Sequence, residues 1–424
     1  MTLCTLQISP SDWRSYSLGC QPDVVVALSD IPFTDPPYSQ KRLTKSIDRS
    51  GKWLADILRT SGDASLPQPN RPSVLVHMAG GVSIAARRAF ADSLLDTLYG
   101  KEAEQVAPLR CLDEGVLGYT FDMVPLRLSI EATMKKAMDD RSSNTSDNGN
   151  FNSASPQTLV STDHLVPLIN VSLESLPVSK LRVANTTTSP HEMLQLIRKA
   201  GIDLFDAHWV QNAANTGIAL DFLFPAPMQD TLSDKNSRLR TRANGKRDLG
   251  HNLYDSVYAS DFSSFADCLP PASATSTTDS SIFPRTCRCL ACSPVPPKTR
   301  ICHGPPELEV DEPASEDVVY RPPFTRAYLH HLLQTHEMSA HSLLVMHNLT
   351  VLDAFFAGVR DAIQKEEDFF EREVERFIQT YDENMTLFEE AAVNWRDVDL
   401  ARGKGRLARE RAKQLDTDVA ILDE

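Results

Sequence analysis

The chain has 424 residues, with 43 Lys and Arg against 57 Asp and Glu, which gives a formal net charge of −14. This acidity argues against a protein that binds nucleic acid by bulk electrostatic attraction. Neither of the Gly-rich phosphate-binding motifs, G-x-G-x-x-G or G-x-x-x-x-G-K-[ST], occurs. The N-terminal sequence lacks the basic region and apolar core of a signal peptide, and no uninterrupted apolar run approaches the roughly 18 residues of a membrane span. We therefore predict a cytoplasmic protein without a transmembrane segment.

Short apolar runs alternate with segments of helical periodicity in the N-terminal half of the chain. The runs predict five β-strands, at Asp23–Leu28, Ser73–Met78, Val116–Phe121, Leu181–Asn185 and Asp203–Trp209. Helices are predicted between them, with the apolar face Leu43, Ile47, Leu54, Ile57 and Leu58 in the first, and with the later ones at Ser83–Tyr99 and His191–Ala200. Alternating strands and helices predict an α/β fold with a parallel sheet. From Arg326 onward the pattern is mostly helical.

A cluster of cysteines is the strongest chemical signal in the sequence. Cys287, Cys289 and Cys292 form a C-x-C-x-x-C motif, in which three thiolates can converge on one tetrahedral Zn²⁺. The fourth ligand must come from elsewhere, and spacing alone does not select it. The candidates are Cys302, His303, His330, His331, His336, His341 and His347. A site made wholly of protein ligands has no open position for a catalytic water and would be structural.

Two further features offer weaker signals. Asp203 and Asp206 lie at the end of the fifth predicted strand, where barrel enzymes place catalytic side chains. A pair of solvated carboxylates in a loop is the alternative. Basic residues form two clusters, one comprising Lys235, Arg238, Arg240, Arg242, Lys246 and Arg247 and the other lying within 402–413. Each cluster could contact a phosphate backbone, although a solvated surface is the reading we favour for either one alone.

Several motifs together resemble those of the tRNA-guanine transglycosylases. The C-x-C-x-x-C cluster, T-R-A-Y-L-H-H-L at Thr325–Leu332 and H-N-L at His347–Leu349 are similar to the zinc subdomain of that family. Gly201–Asp206 resembles the family segment that carries the nucleophilic aspartate, which falls on Asp206. The resemblance implies a (β/α)8 TIM-barrel-like fold that lacks its first strands, with a C-terminal helical zinc-binding subdomain. It also implies one structural Zn²⁺ per chain, held by Cys287, Cys289, Cys292 and His347.

The resemblance also implies a division into three parts. Residues 1–265 would form the partial barrel, interrupted by a polar insert at 141–158. Residues 266–365 would form the zinc-binding subdomain, with a Pro-rich insert at 293–323. Residues 366–424 would form a charged helical C-terminal tail.

Departures from the family pattern lie where the catalytic machinery is expected. Asn212 and Asn215 stand in place of two family arginines, and Ser29 stands in place of the base-recognising aspartate, next to Asp30. The family's Gly-Gly-Leu aligns with Tyr119–Phe121, whose bulk is predicted to fill the purine site. The T-D-S-G-G-F-Q motif, which holds a general-base aspartate, is absent. These changes predict that no residue here is catalytic and that Asp206 is a vestigial nucleophile.

The resemblance therefore implies a non-catalytic partner of a catalytic queuine tRNA-ribosyltransferase subunit. The heterodimer would exchange guanine for queuine at the wobble position of tRNA, and this chain would reach tRNA through the complex. Docking through the zinc subdomain is predicted from a group of apolar side chains, Tyr328, Leu329, Leu332, Leu333, Phe355, Phe356 and Val359. The family also suggests peripheral association with the mitochondrial outer membrane. The alternatives are an active transglycosylase that uses Asp206 as its nucleophile and a zinc-stabilised interaction protein without a tRNA role.

Overall fold

The structure is a computed structural model that describes residues 8–31, 36–59, 72–142, 160–227, 239–266, 287, 289–292, 324–366 and 368–422. Two compact units divide the chain, Met1–Asp206 and Ala207–Glu424. The domain boundary predicted at residue 265 lies within the second unit. The insert at 293–323 and nearly all of the insert at 141–158 lie outside the described residues.

Helices and strands alternate through the first unit. Its elements are α1 (Pro10–Cys20), β1 (Val24–Val26), α2 (Gln40–Leu58), β2 (Ser73–His77), α3 (Ile84–Leu95), α4 (Gly100–Val106), β3 (Gly118–Asp122), α5 (Met123–Ser142), α6 (Thr162–Leu173), β4 (Leu181–Asn185), α7 (Pro190–Ala200) and β5 (Leu204–Phe205). Each predicted strand is present, although β5 is much shorter than the predicted Asp203–Trp209. It ends early because the chain turns at Asp206 and a new helix begins at His208.

The five strands form one parallel sheet in the order β1-β2-β3-β4-β5. Sequential parallel order requires a crossover between each pair of strands, and helices provide the crossovers. The predicted α/β class with a parallel sheet is confirmed. Gly118 is needed in β3 because a Cβ at that position would clash with the Leu181 carbonyl of β4.

Tyr119 and Phe121 of β3 are buried between the sheet and its helices. They belong to the same apolar core as Leu54 of α2, Phe90 of α3 and Ile169 of α6. Side chains alternate along a strand, so residues 118, 120 and 122 lie on the opposite face. The prediction that Tyr119 and Phe121 fill a purine site is therefore wrong, because the strand register directs both side chains into the helix-covered core.

The second unit is mainly helical. Its elements are α8 (His208–Asn215), β6 (Ile218–Leu220), β7 (Gly250–Asn252), α9 (Arg326–Gln334), α10 (Met338–Ile363), α11 (Phe369–Thr380) and α12 (Thr386–Leu422). β6 and β7 form an antiparallel pair. Aromatic rings pack edge to face around Phe222, which contacts Trp209, Phe355, Phe377 and Tyr381 at centroid distances of 5.7 to 6.2 Å. This ring cluster joins α8, α10 and α11 into one core.

Most of the apolar side chains from which a docking surface was predicted are buried inside the second unit. Of those seven residues, Leu329, Leu332, Leu333, Phe355 and Val359 are buried inside the second unit. Tyr328 is 44% exposed, and Phe356 is half-buried. The docking prediction is thus wrong for the five buried residues, because α9 and α10 use them to pack against their own neighbours.

Among the described helices, α10 is the one that is long and apolar enough to cross a membrane by length and composition alone. Its buried side chains include Leu344, His347, Phe355 and Val359. The aromatic contacts of Phe355 and the polar contacts of His347 lie within the unit. These features are typical of the core helix of a folded domain.

Candidate metal centre

Cys287, Cys289, Cys292 and His347 converge on one buried point of the second unit. Their ligand atoms all lie within 4.8 Å of one another, and each residue is at most 5% exposed. The three cysteines come from one short segment, and His347 comes from the middle of α10. The group therefore has the number, type and closeness of donors needed to hold a metal ion.

Hydrogen bonding orients His347 toward the thiols. Its Nε2 lies 2.8 Å from the carbonyl oxygen of Leu220 in β6, so Nε2 carries the proton and donates it there. Its Nδ1 lies 3.4 Å from the Cys292 sulfur and 3.8 Å from the Cys289 sulfur. A backbone acceptor behind a ligating histidine fixes the tautomer that leaves a lone pair for the metal.

The neighbouring Asn348 ties α10 to the same strand, a contact that the sequence reasoning missed. Its side-chain oxygen accepts a hydrogen bond from the Leu220 N–H at 2.9 Å, and its side-chain nitrogen donates to the Ile218 carbonyl at 3.0 Å. Asn348 is fully buried. Asn348 therefore anchors β6 to α10, while the adjacent His347 faces the thiols. The sequence signal that could have revealed this contact is the asparagine that follows the histidine.

The cluster is electrostatically suited to a cation. Hydrogen bonds from Cys289 and Cys292 lower the pKa of the Cys287 thiol well below its usual range. Hydrogen bonds to Cys287 and Cys289 raise the pKa of Cys292. Burial lowers the pKa of His347, but its hydrogen bonds to Cys287 and Cys289 outweigh that effect and the pKa rises to about 9. Three buried thiols cannot all ionise without positive charge nearby, so a bound cation would displace the protons that they otherwise share.

The other candidate ligands do not join this group among the described residues. His330 instead places Nδ1 2.9 Å from the Leu253 carbonyl, and His331 is exposed. His336 and His341 lie outside the convergent group. Cys302 and His303 fall outside the described residues.

Asp203 and Asp206 support the backbone at opposite ends of β4. Asp203 accepts a hydrogen bond from the Arg182 N–H at 2.8 Å. Asp206 accepts one from the Thr186 N–H at 2.9 Å, and Thr186 has a left-handed backbone with φ of 60°. A non-glycine residue in that conformation needs local support, which the carboxylate supplies. Both aspartates thus have a structural role in the first unit.

A small cavity lies where β1, β2 and β3 end. It measures about 60 Å³ and is lined by residues that include Ser29, Asp30, His77 and Asp122. Both oxygens of Asp30 bind Arg42, at 2.7 and 2.8 Å, and this hydrogen bonding lowers the pKa of the carboxyl. Neither ring nitrogen of His77 has a hydrogen-bond partner within the described ranges, and burial lowers the pKa of this histidine. The carboxylate next to Ser29, that of Asp30, is therefore already bound to Arg42.

Three cations of the first basic cluster bind carboxylates within the second unit. Arg242 binds Asp248 at 2.6 and 2.9 Å and Glu390 of α12 at 2.7 and 2.9 Å. Lys246 binds Glu383 at 3.1 Å, and Arg240 also reaches Glu390, at 3.2 Å. Lys235 and Arg238 lie outside the described residues. Arg240 and Arg242 thus hold α12, and Lys246 binds a carboxylate just before that helix. The interpretation as a phosphate-binding patch has no support from these three cations.

Two of the residues that depart from the family pattern, Asn212 and Asn215, lie on α8. Asn212 is exposed and places its side-chain nitrogen 3.0 Å from His208 Nε2, and Asn215 is also exposed. In the second basic cluster, Arg402 is exposed, and the side chains of Lys404 and of residues 406–413 lie outside the described part.

Comparison with known proteins gives consistent matches. The sequence profile of the family described as Queuine tRNA-ribosyltransferase matches residues 313–383, which contain α9 and α10. The Schizosaccharomyces pombe protein named Queuine tRNA-ribosyltransferase accessory subunit 2 is 24% identical over 360 residues, which cover 85% of this chain and 54% of that protein. Proteins of the same name from Aedes aegypti and Homo sapiens are 24% and 25% identical over 375 and 207 residues, covering 88% and 45% of this chain.

The chain spans 54% and 63% of the lengths of the first two of these relatives, and 38% of the human one. The motifs predicted a resemblance to the tRNA-guanine transglycosylases, and the comparisons confirm that resemblance. The chain is similar to the accessory subunit over most of its length, at low identity.

Proposed function

We propose that this chain is a non-catalytic accessory subunit of queuine tRNA-ribosyltransferase, which supports the exchange of guanine for queuine at the wobble position of tRNA. One contrast carries the proposal. The four-residue metal centre is complete and well oriented, whereas the residues expected to bind a purine and to attack ribose have been replaced or have internal partners. The names of the similar proteins support the same role.

The cavity at the carboxyl ends of the first three strands offers little room for a nucleobase. Pockets that bind small molecules typically measure about 300–1,000 Å³, against about 60 Å³ for the cavity where β1, β2 and β3 end. Nucleophilic attack by Asp206 would require a flipped base and a ribose carbon held against a free carboxylate oxygen. One oxygen of Asp206 instead holds the Thr186 backbone. Both features favour a role without catalysis.

The sheet supports a TIM-barrel-like fold as the finer description of the first unit. Five parallel strands lie in sequential order without a reversal, which is the order of a singly wound (β/α)8 barrel. A doubly wound sheet would instead reverse its strand order at a switch point. The described strands would then be five consecutive members of such a barrel.

Zinc is the metal that we assign to the centre. For tetrahedral Zn²⁺ with bonds of about 2.3 Å to sulfur and 2.0 Å to nitrogen, the S···N separation is about 3.5 Å. The observed separations from His347 Nδ1 are 3.4 and 3.8 Å. Cys287, Cys289, Cys292 and His347 would fill all four positions, so bound zinc would supply a structural cross-link. It would join the cysteine segment to α10 and, through the Leu220 carbonyl, to β6.

The proposed partner is the catalytic subunit, which would form a heterodimer with this chain and bring it to tRNA. Exposed apolar side chains remain near the metal-binding segments, with Leu290 at 79% and Tyr328 at 44% exposure. Tyr328 stacks on Phe324 at a centroid distance of 5.7 Å, which holds its ring in place. We also propose a cytoplasmic location with peripheral association with the mitochondrial outer membrane, to be checked by fractionation with carbonate extraction.

The test uses the full chain, the catalytic subunit and their mixture. We expect the two chains to co-elute on size exclusion and labelled guanine exchange into tRNA to require the catalytic subunit. Exchange by this chain alone, abolished by Asp206→Asn, would establish an active transglycosylase instead. A chain that binds zinc but neither co-elutes with the catalytic subunit nor alters exchange would be an interaction protein without this tRNA role.

A further inference from the structure

A buried polar network surrounds the N-terminus of α9, and its centre is Arg326. The Arg326 side chain is fully buried, as are His251, Asp221 and Asp261 of the same network. Its guanidinium lies 2.9 Å from His251 Nε2 and 3.3 Å from Asp261 Oδ2. Fully buried arginine is rare because an ionised group loses its hydration, and its retention requires compensating partners.

The same guanidinium holds a loop that leads toward the metal centre. Nε and Nη2 of Arg326 both donate to the Phe265 carbonyl, each at 3.3 Å. The backbone contributes as well, because the Arg326 N–H donates to the Ser263 carbonyl at 3.2 Å and the Ala327 N–H donates to the Asp261 carbonyl at 2.8 Å. The segment 261–265 is thus fixed on the first turn of α9.

Phe265 links the fixed segment 261–265 to His347, one of the proposed metal ligands. Its ring is fully buried in the core that also contains Cys287, Cys289 and Cys292. It meets the His347 imidazole edge to face, with ring centroids 5.4 Å apart and an interplanar angle of 85°. His347 is therefore held on two sides, by the hydrogen bond to the Leu220 carbonyl and by the Phe265 ring.

We propose that Arg326 and Phe265 are positioning residues of the metal centre: Arg326 fixes the Phe265 backbone, and the Phe265 ring limits rotation of the His347 imidazole. The proposal rests on the proposed metal site. Residues that orient a metal ligand from behind typically contribute about 10–100-fold to metal affinity. Arg326 suits this role because its planar fork can reach one carbonyl through two donors while also binding a carboxylate, which a lysine cannot do.

The experiment measures metal release from the full chain. The unchanged protein is first loaded with Zn²⁺ and, separately, with Co²⁺, and the stoichiometry and the Co²⁺ d–d absorption bands are recorded. Transfer of Zn²⁺ to a colorimetric chelator is then followed for Phe265→Leu, Arg326→Lys and a matched control, Tyr258→Phe. The control removes a hydroxyl 2.9 Å from His251 Nδ1 in the same network and leaves the aromatic ring in place.

We expect Phe265→Leu and Arg326→Lys to release Zn²⁺ about tenfold faster or more than the unchanged chain, with altered Co²⁺ bands. Tyr258→Phe should release Zn²⁺ at the rate of the unchanged chain. Phe265→Leu keeps an apolar side chain of similar size, so it remains informative if Arg326→Lys fails to fold. Release from Phe265→Leu at the control rate, with unchanged Co²⁺ bands, would overturn the proposal even if both variants lower the melting temperature. No metal in the unchanged chain would instead refute the metal site itself, and the positioning role with it.

Discussion

Replacing Asn348 with alanine should destabilise the second unit by several kcal/mol, although Asn348 is not itself among the proposed ligands. The side chain is fully buried and makes two hydrogen bonds to the β6 backbone, with the Leu220 N–H and the Ile218 carbonyl. Alanine leaves that donor and that acceptor buried without partners. Each such group costs about 1–3 kcal/mol, so we expect a loss of about 2–6 kcal/mol in the free energy of unfolding.

Urea unfolding of the zinc-loaded full chain, followed by far-UV circular dichroism, measures this loss. Asn212→Ala is the matched control, because Asn212 is exposed on α8 and surface substitutions usually change stability by less than about 0.5 kcal/mol. Asn348→Asp should also be destabilising, since it keeps the acceptor but loses the donor to Ile218. An Asn348→Ala variant within about 0.5 kcal/mol of the unchanged chain would refute the view that this side chain anchors β6 to α10.

Four further predictions follow from the same contacts. Cys292→Ser should reduce bound zinc from one equivalent to a small fraction by metal analysis, and full occupancy would contradict the ligand set. Asp206→Asn in the reconstituted complex should leave queuine incorporation near that of the unmodified complex, and a loss of about a hundredfold, roughly 3 kcal/mol, would make this chain a catalyst. Arg242→Met should cost about 3 kcal/mol in urea unfolding because it strands a buried carboxylate, whereas the exposed Arg240→Met should cost less than about 1 kcal/mol. The lowered pKa of Asp30 stabilises the fold at pH values above the ordinary carboxyl pKa of about 3.9, and this stabilisation is lost as the pH falls through the pKa of the folded state. Asp30→Asn should therefore flatten the dependence of the unfolding free energy on pH below about 4. An unchanged slope would count against the contact between Asp30 and Arg42.

Local signals located most of the secondary structure. The β4 bounds matched those observed, and α7 begins at Pro190, with Ser189 as its N-cap and Gly201 in the left-handed conformation after its last turn. Caps and apolar periodicity act over a few residues, so they can be read without the fold. β5 was predicted too long because the chain turns at Asp206. The Asp206 carboxylate accepts a hydrogen bond from the Thr186 N–H, twenty residues earlier, and local sequence patterns do not reveal such a contact.

The sequence alone also determined the chemical class of the metal centre, since C-x-C-x-x-C brings three sulfurs within reach of one ion whatever surrounds them. Spacing left the fourth ligand among seven candidates, and the family resemblance named His347. Only the packing of α10 against β6 brought His347 to the thiols. Likewise, only the strand register decided that Tyr119 and Phe121 point into the core. Only tertiary packing decided that the helix side chains predicted to dock are mostly internal. Arg242 shows the reason most directly: its partner Glu390 lies 148 residues away in the sequence, and contacts across that separation are created by the fold.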